Sequence, residues 1–127
     1  MTIRIPVTPK SKDRPRQGRN GRFYTPHKTV QYESIICRAV QGIRVTGAVS
    51  LTVVFKMPMP KSWSKAKKIR MNGTPHIQTP DTDNLLKAVM DGMRCVWSDD
   101  RTVYEVSGKK LWAYDPQVII VIKEQEQ

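Results

Sequence analysis

A chain of 127 residues fits one compact domain, taken as 1–127, with a real but modest core. Its 22 Lys+Arg against 11 Asp+Glu leave a formal net charge of +11, an excess that points to a polyanionic partner rather than to solubility alone. No apolar run reaches membrane-spanning length and "MTIRIPVTPK" lacks the apolar core of a secretion signal, so no membrane partner and a cytoplasmic location are expected.

In chain order, "TIRIPV" alternates and reads as a short edge-type strand, because Pro6 has no N–H to give a ladder. The stretch "PKSKDRPRQGRNGRFYTPHK", within a basic loop at about 8–28, has no apolar period and is expected to be mobile. "TVQYESIICRAVQGIR" then takes helical spacing, with Ile35, Ile36, Ala39, Val40 and Ile43 on one face and Gly42 or Gly47 as the stop. "AVSLTVVFK" puts Val49, Leu51, Val53 and Phe55 on one side of a strand that "MPMP" ends. A second basic loop, about 61–80, has room for one or two helical turns around its lysines. Beyond the acidic helix, "TVYEV" and "KKLWAY" flank Ser107-Gly108, which reads as a hairpin turn. "QVIIVIK" is the last buried strand. Cys37 and Cys95 lack C-x-x-C spacing and read as reduced packing residues.

Charge is partitioned along this order. Residues 1–80 hold 16 Lys+Arg against Asp13 and Glu33, 16 − 2 = +14, whereas residues 81–127 hold 6 against 9 acids, 6 − 9 = −3. A merely soluble surface would mix the signs. The partition suggests a basic embrace around a local acidic pocket.

That pocket centres on "TPDTDNLLKAVMDGM". Pro80 favours an extended residue before it, so a helix can begin around Asp83, a good N-cap. Stepping along that helix puts Asp83, Asn84, Lys87, Asp91 and Arg94 within an arc of about 100°, with Leu86, Val89, Met90 and Met93 opposite. Asp81 lies beside the helix start. The plain reading is a cap plus Lys87 paired with Asp83 and Asp91, each contact worth ~0.3–1 kcal/mol. Against it stands a second acidic pair after the helix, Asp99 and Asp100 in "WSDD". Two such pairs suit a hard cation with oxygen ligands, although Asp also favours ordinary turns.

"PDTDNLLKAVMDGM" followed by "VWSDD" resembles the Asp-x-Asp-Asn-Leu-x-Lys and Trp-x-Asp-Asp signature of the RusA family, small phage and bacterial Holliday junction endonucleases. "MPMPKSWS", His76 before "TPD" and the Arg-Pro-Arg segment resemble its phage-type members. Gly92 departs from the pattern, standing where the family often has a good helix former. The resemblance implies catalytic Asp81, Asp83, Lys87 and Asp100, and an ion, Mg²⁺ or alternatively Mn²⁺, on Asp81, Asp83, Asp100 and Asp99, with Asp91 a weaker match. It also implies a homodimer acting on four-way or branched DNA in recombination and repair. With the order of elements it gives an α+β fold, a small mixed β-sheet with two principal helices packed on it. The basic loops supply the attraction that the acids withhold from phosphate, through Arg14, Arg16, Arg19, Arg22, Lys65, Lys67 and Lys68. Phe23, Tyr24 and Trp63 either stack on opened bases or, the more frequent use, anchor loops to the core. The competing reading is a non-catalytic nucleic-acid-binding protein whose acids only cap and pair; it has no need for "DTDN", Lys87 and "SDD" together.

Overall fold

The computed structural model describes residues 1–12, 16–19, 21–24, 27–97 and 99–125. Strand β1 (Thr2–Ile5) leads through the short pair β2 (Arg16–Gln17) and β3 (Phe23–Tyr24) to helix α1 (His27–Ala39). Then come β4 (Ala48–Pro58), α2 (Lys65–Met71), α3 (Thr82–Gly92), a 3₁₀ turn (Asp100–Thr102), β5 (Val103–Ala113) and β6 (Gln117–Gln125). The main sheet runs β1-β6-β4-β5. Strands β4 and β5 pair in parallel and the other neighbours are antiparallel. The fold is therefore α+β with a mixed sheet. No helix among the described residues is long and apolar enough to cross a membrane.

Alternation does the work in β4. Val49, Leu51, Val53 and Phe55 are fully buried, and they meet Val118, Ile120 and Ile122 of β6 and the inner faces of α1 and α3 in one cluster. At ~25 cal/mol per Å² of apolar area removed from water, this cluster is the main source of stability. Thr52, Val54 and Val121 lie on the opposite face and stay half-buried.

Three expectations change. The N-terminal basic loop contains the antiparallel β2–β3 pair, with Gln17 opposite Phe23, closed where Gly21 takes the left-handed φ of 78°. Helix α1 buries Thr29, Tyr32 and Ile36, with Val40 just past its end, while Ile35 is 41% exposed. The true stripe thus runs along 29-32-36-40, one residue away from Ile35. The helix ends before Gly42, whose φ of 89° suits a left-handed stop.

The third concerns Ser107-Gly108, which forms no hairpin. Both residues lie within β5, where Thr52 pairs with Ser107 and Val53 with Gly108. A Cβ on Gly108 would sit 3.0 Å from the Leu86 side chain, so the glycine admits α3 onto the strand instead of turning the chain.

Gly92 has the same use. A Cβ there would lie 2.7 Å from Cβ of Ile36 and 3.2 Å from the Glu33 carbonyl oxygen, so the missing side chain is what lets α3 approach α1. Gly92→Ala gains helix propensity but overpacks this crossing. The net expectation is a loss of ~1–3 kcal/mol, read as an earlier urea midpoint with unchanged slope. A stabilised variant would show that the two helices yield easily. Beside this crossing the Cys37 thiol donates to Cys95 Sγ at 2.9 Å, both thiols being free and half-buried.

Candidate active site

Helix α3 begins earlier than its spacing suggests. Asp81, extended at φ −70° and ψ 149°, occupies the N-cap position, yet its carboxylate makes no capping hydrogen bond. Asp83 lies in the first turn, where a negative charge complements the helix dipole. Both are exposed, and among the described residues neither side chain has a hydrogen bond or ion pair. The helix buries Leu85, Ala88, Val89 and Gly92, with Leu86 and Met90 half-buried, so its core stripe includes Leu85 and Ala88 as well as the expected Val89 and Met93.

Lys87 is exposed one turn beyond Asp83. Among the described residues no ion pair joins it to Asp83 or Asp91. Asp91 pairs instead with Lys12 and with Arg94 at 3.0 Å, while Lys12 also lies 3.6 Å from Glu33. Asp91 thus ties the N-terminal segment to α3. The pairing that would have made Lys87 purely structural is absent.

The second acidic pair is held differently. Asp99 accepts from the Arg101 backbone N–H at 2.9 Å and from Nε at 2.9 Å, and the hydrogen-bonded guanidinium holds its carboxyl below the usual carboxylate range. Asp100 accepts from the Trp97 indole Nε1 at 2.9 Å. Because Trp97 is itself buried, the Asp100 carboxylate is fixed relative to the core.

The two pairs occupy opposite ends of α3. Lys110, on the helix-facing side of β5, donates to the carbonyls of Gln78 at 2.5 Å and Pro80 at 2.8 Å, which places the start of α3 beside the late part of that strand. Asp100 instead precedes Val103 at the strand's beginning. The seven residue steps from Val103 to Lys110 extend over roughly 23 Å at strand rise. Among the described residues no group of three or more His, Cys, Asp or Glu side chains comes together to hold an ion. Asp81 and Asp83, without a partner among the described residues, are a pair of hard oxygen donors that fits Mg²⁺, an ion that keeps several waters and uses one or two carboxylates.

Basic side chains are carried by α2 and by the N-terminal segment. Ser64 caps α2, accepting from the Lys67 N–H at 3.2 Å, and sets out Lys65, Lys67 and Lys68. Trp63 packs on Trp112 of β5 with ring centroids 4.7 Å apart, and the Lys67 ammonium sits 4.4 Å over the Trp63 ring. Trp63 therefore anchors the α2 segment to the sheet. Arg19 and Arg22 are exposed near the β2–β3 turn. Arg16 is placed only by its strand, and Arg14 lies outside the described residues.

Two residues beside the acids gain roles that their spacing had not assigned. His76 is buried, 7% exposed, with its ring 4.3 Å from that of Trp112. Burial, with Lys110 nearby, holds the imidazole below its usual pKa range, so the neutral ring is favoured. Lys110 is the second. Its signal in the sequence is a lysine two residues before buried Trp112, on the core-facing side of a strand, where an ammonium needs acceptors. Lys110→Met leaves two carbonyls without their donor. We expect a stability loss of ~1–3 kcal/mol and faster hydrogen exchange at the Leu85 amide, which bonds to Asp81 O at 3.1 Å. Unchanged exchange would show that the loop before Asp81 holds itself.

The sequence model of the family described as "Endodeoxyribonuclease RusA" matches residues 6–123. A curated relative from Bacillus subtilis (strain 168), "Uncharacterized protein YqaN", is 30% identical over 128 residues, covering 91% of this chain and 90% of the relative.

Proposed function

Because the chain belongs to the RusA endodeoxyribonuclease family, we propose that this nuclease resolves four-way DNA junctions by paired, Mg²⁺-dependent nicks, acting as a homodimer in recombination and repair. The observation that carries the reading is a set of groups around the start of α3 that have no partner among the described residues: Asp81, Asp83 and Lys87. Asp81 and Asp83 hold the ion. When bound, it supplies Lewis-acid polarisation and neutralises charge at the phosphate. The Lys87 ammonium contacts the scissile phosphate as a point charge. Lys65, Lys67 and Lys68, with the arginines of the N-terminal segment, offset the repulsion between the acids and the DNA backbone.

The same geometry favours two copies. Among the described residues Asp81, Asp83 and Asp100 form no joint ion-holding group, which supports a site shared between chains. In the proposed C2 pair, antiparallel α3 helices would let Asp100 of one protomer complete the Asp81–Asp83 pair of the other, with Asp99, held by Arg101, shaping the turn before it. A junction has approximate two-fold symmetry and requires matched nicks in opposing strands. A C2 dimer offers two sites at fixed separation.

The test is a synthetic four-way junction incubated with the purified protein, with and without Mg²⁺ or Mn²⁺. Paired nicks in opposing strands and a particle of twice the 14.6 kDa chain mass are expected. Tight junction binding with no nick under either ion would leave a non-catalytic binder as the better account.

A further inference from the structure

Beside the Asp81 end of α3 lies an open groove of about 510 Å³ between the end of β4 and the segment leading into the helix. Met57, Pro58, Met59 and Pro60 form one wall and Thr79 with Pro80 another, with His76 and Trp112 between them. Lys61 lies at the groove as well.

Its lining is apolar except for Thr8, Lys61, His76, Gln78 and Thr79. One of those groups is unsatisfied: Nδ1 of His76 is buried and has no hydrogen-bond partner, although His76 is more than nine-tenths buried. A buried polar atom without a partner costs ~1–3 kcal/mol, a cost that a ligand hydrogen bond removes. The χ2 profile of histidine is broad and roughly two-fold, and His76 lines the groove, so a turn of the ring would let a bound group there reach the nitrogen. Thioether and proline surfaces suit the face of a flat ring. Sites for single bases combine such walls with a few hydrogen bonds to the base edge.

We propose that this groove receives one unstacked nucleobase of the DNA strand whose phosphate lies at Asp81 and Asp83, and that His76 reads its edge. The proposal rests on the nuclease reading above and adds a base-reading element to it. Pro80 is shared between the groove and the Lys110 clamp, so a base seated there lies against the same loop that presents Asp81. Lys61 at the groove and Lys67 above Trp63 provide positive charge for the connecting backbone. A nucleic-acid strand, rather than a peptide or lipid, fits that positive charge beside the nuclease site proposed above. The neutral imidazole offers one donor and one acceptor, so it discriminates among base edges instead of binding all of them equally.

Two measurements test this. A junction with a mobile branch point exposes many dinucleotides to wild-type protein, His76→Ala and Met59→Trp, and the relative cutting frequencies are read within each reaction. The wild type is expected to favour some positions, and both variants are expected to flatten the ratio between strongest and weakest sites about tenfold, the size of a single good edge contact. Ratios within one reaction do not move with folded fraction, and Met59→Trp covers the case in which His76→Ala folds poorly. Separately, 5-iodo-2′-deoxyuridine is placed at each position flanking the branch in complexes with Asp83→Asn protein and cross-linked with light. A cross-link to residues 57–61 or 76–80 supports the groove. An unbiased wild type, an intact bias in both variants, or cross-links only elsewhere overturns it. If wild type cuts no junction the function reading fails, and the cross-link still decides whether a base enters the groove.

Discussion

An equal mixture of Asp83→Asn and Asp100→Asn proteins, each inactive alone, is expected to regain junction cleavage after the subunits exchange. The reason is geometric. If each ion site takes Asp81 and Asp83 from one protomer and Asp100 from its partner, a mixed dimer concentrates both lesions in one site and leaves the other entirely native. Random exchange makes half the dimers mixed, each with one of two sites intact, so about a quarter of native sites should return. The product should change as well. A lone active site nicks once, so a supercoiled cruciform should give nicked circles where the native protein gives linear DNA. Were each site built within one chain, every site in the mixture would carry a lesion and no activity would return. Light scattering on the mixture guards against failure to exchange.

Lys87→Ala should reduce turnover by ~10²–10³, the size seen when a positioned transition-state donor is removed, with almost no change in thermal midpoint. The structure supports the second half directly, because Lys87 is exposed and forms no ion pair among the described residues. An exposed helix pair, had there been one, would be worth only ~0.2–0.5 kcal/mol. Lys87→Arg keeps the charge but spreads it over a planar fork, so partial recovery would separate charge from geometry. A large drop in melting temperature with turnover preserved would return Lys87 to a purely structural role.

Local pattern carried much of the fold. Alternation at 49-51-53-55 found β4, and the run at 118-120-122 found β6, because a period of two is a property of neighbouring residues. Gly108 misled because a glycine has two unrelated uses, and only the arrival of Leu86 shows which applies. Gly92 looked like a weak point in a helix for the same reason, until Ile36 appeared against it. In the candidate site, Asp81, Asp83 and Lys87 stand out from a single stretch around the start of α3, and no described partner takes any of them up. The partners of Asp91 do not: Lys12 comes from 79 positions away, and no local spacing encodes that. Lys110 stayed hidden because its acceptors are backbone carbonyls, which every sequence has.

The position of β6 bears on how the chain is made. It lies between β1 and β4, bonded to both, although it follows both in the chain. Until residues 117–125 leave the ribosome, β1 has no neighbour in the main sheet and β4 has only β5. Translation at ~5–20 residues per second therefore delivers this strand after both of its neighbours, and the sheet closes only once residues 117–125 have emerged. The amyloid-prone apolar edge of β4 would stand open in the meantime, so a chain stalled shortly before β6 should be a far better chaperone client than the finished protein.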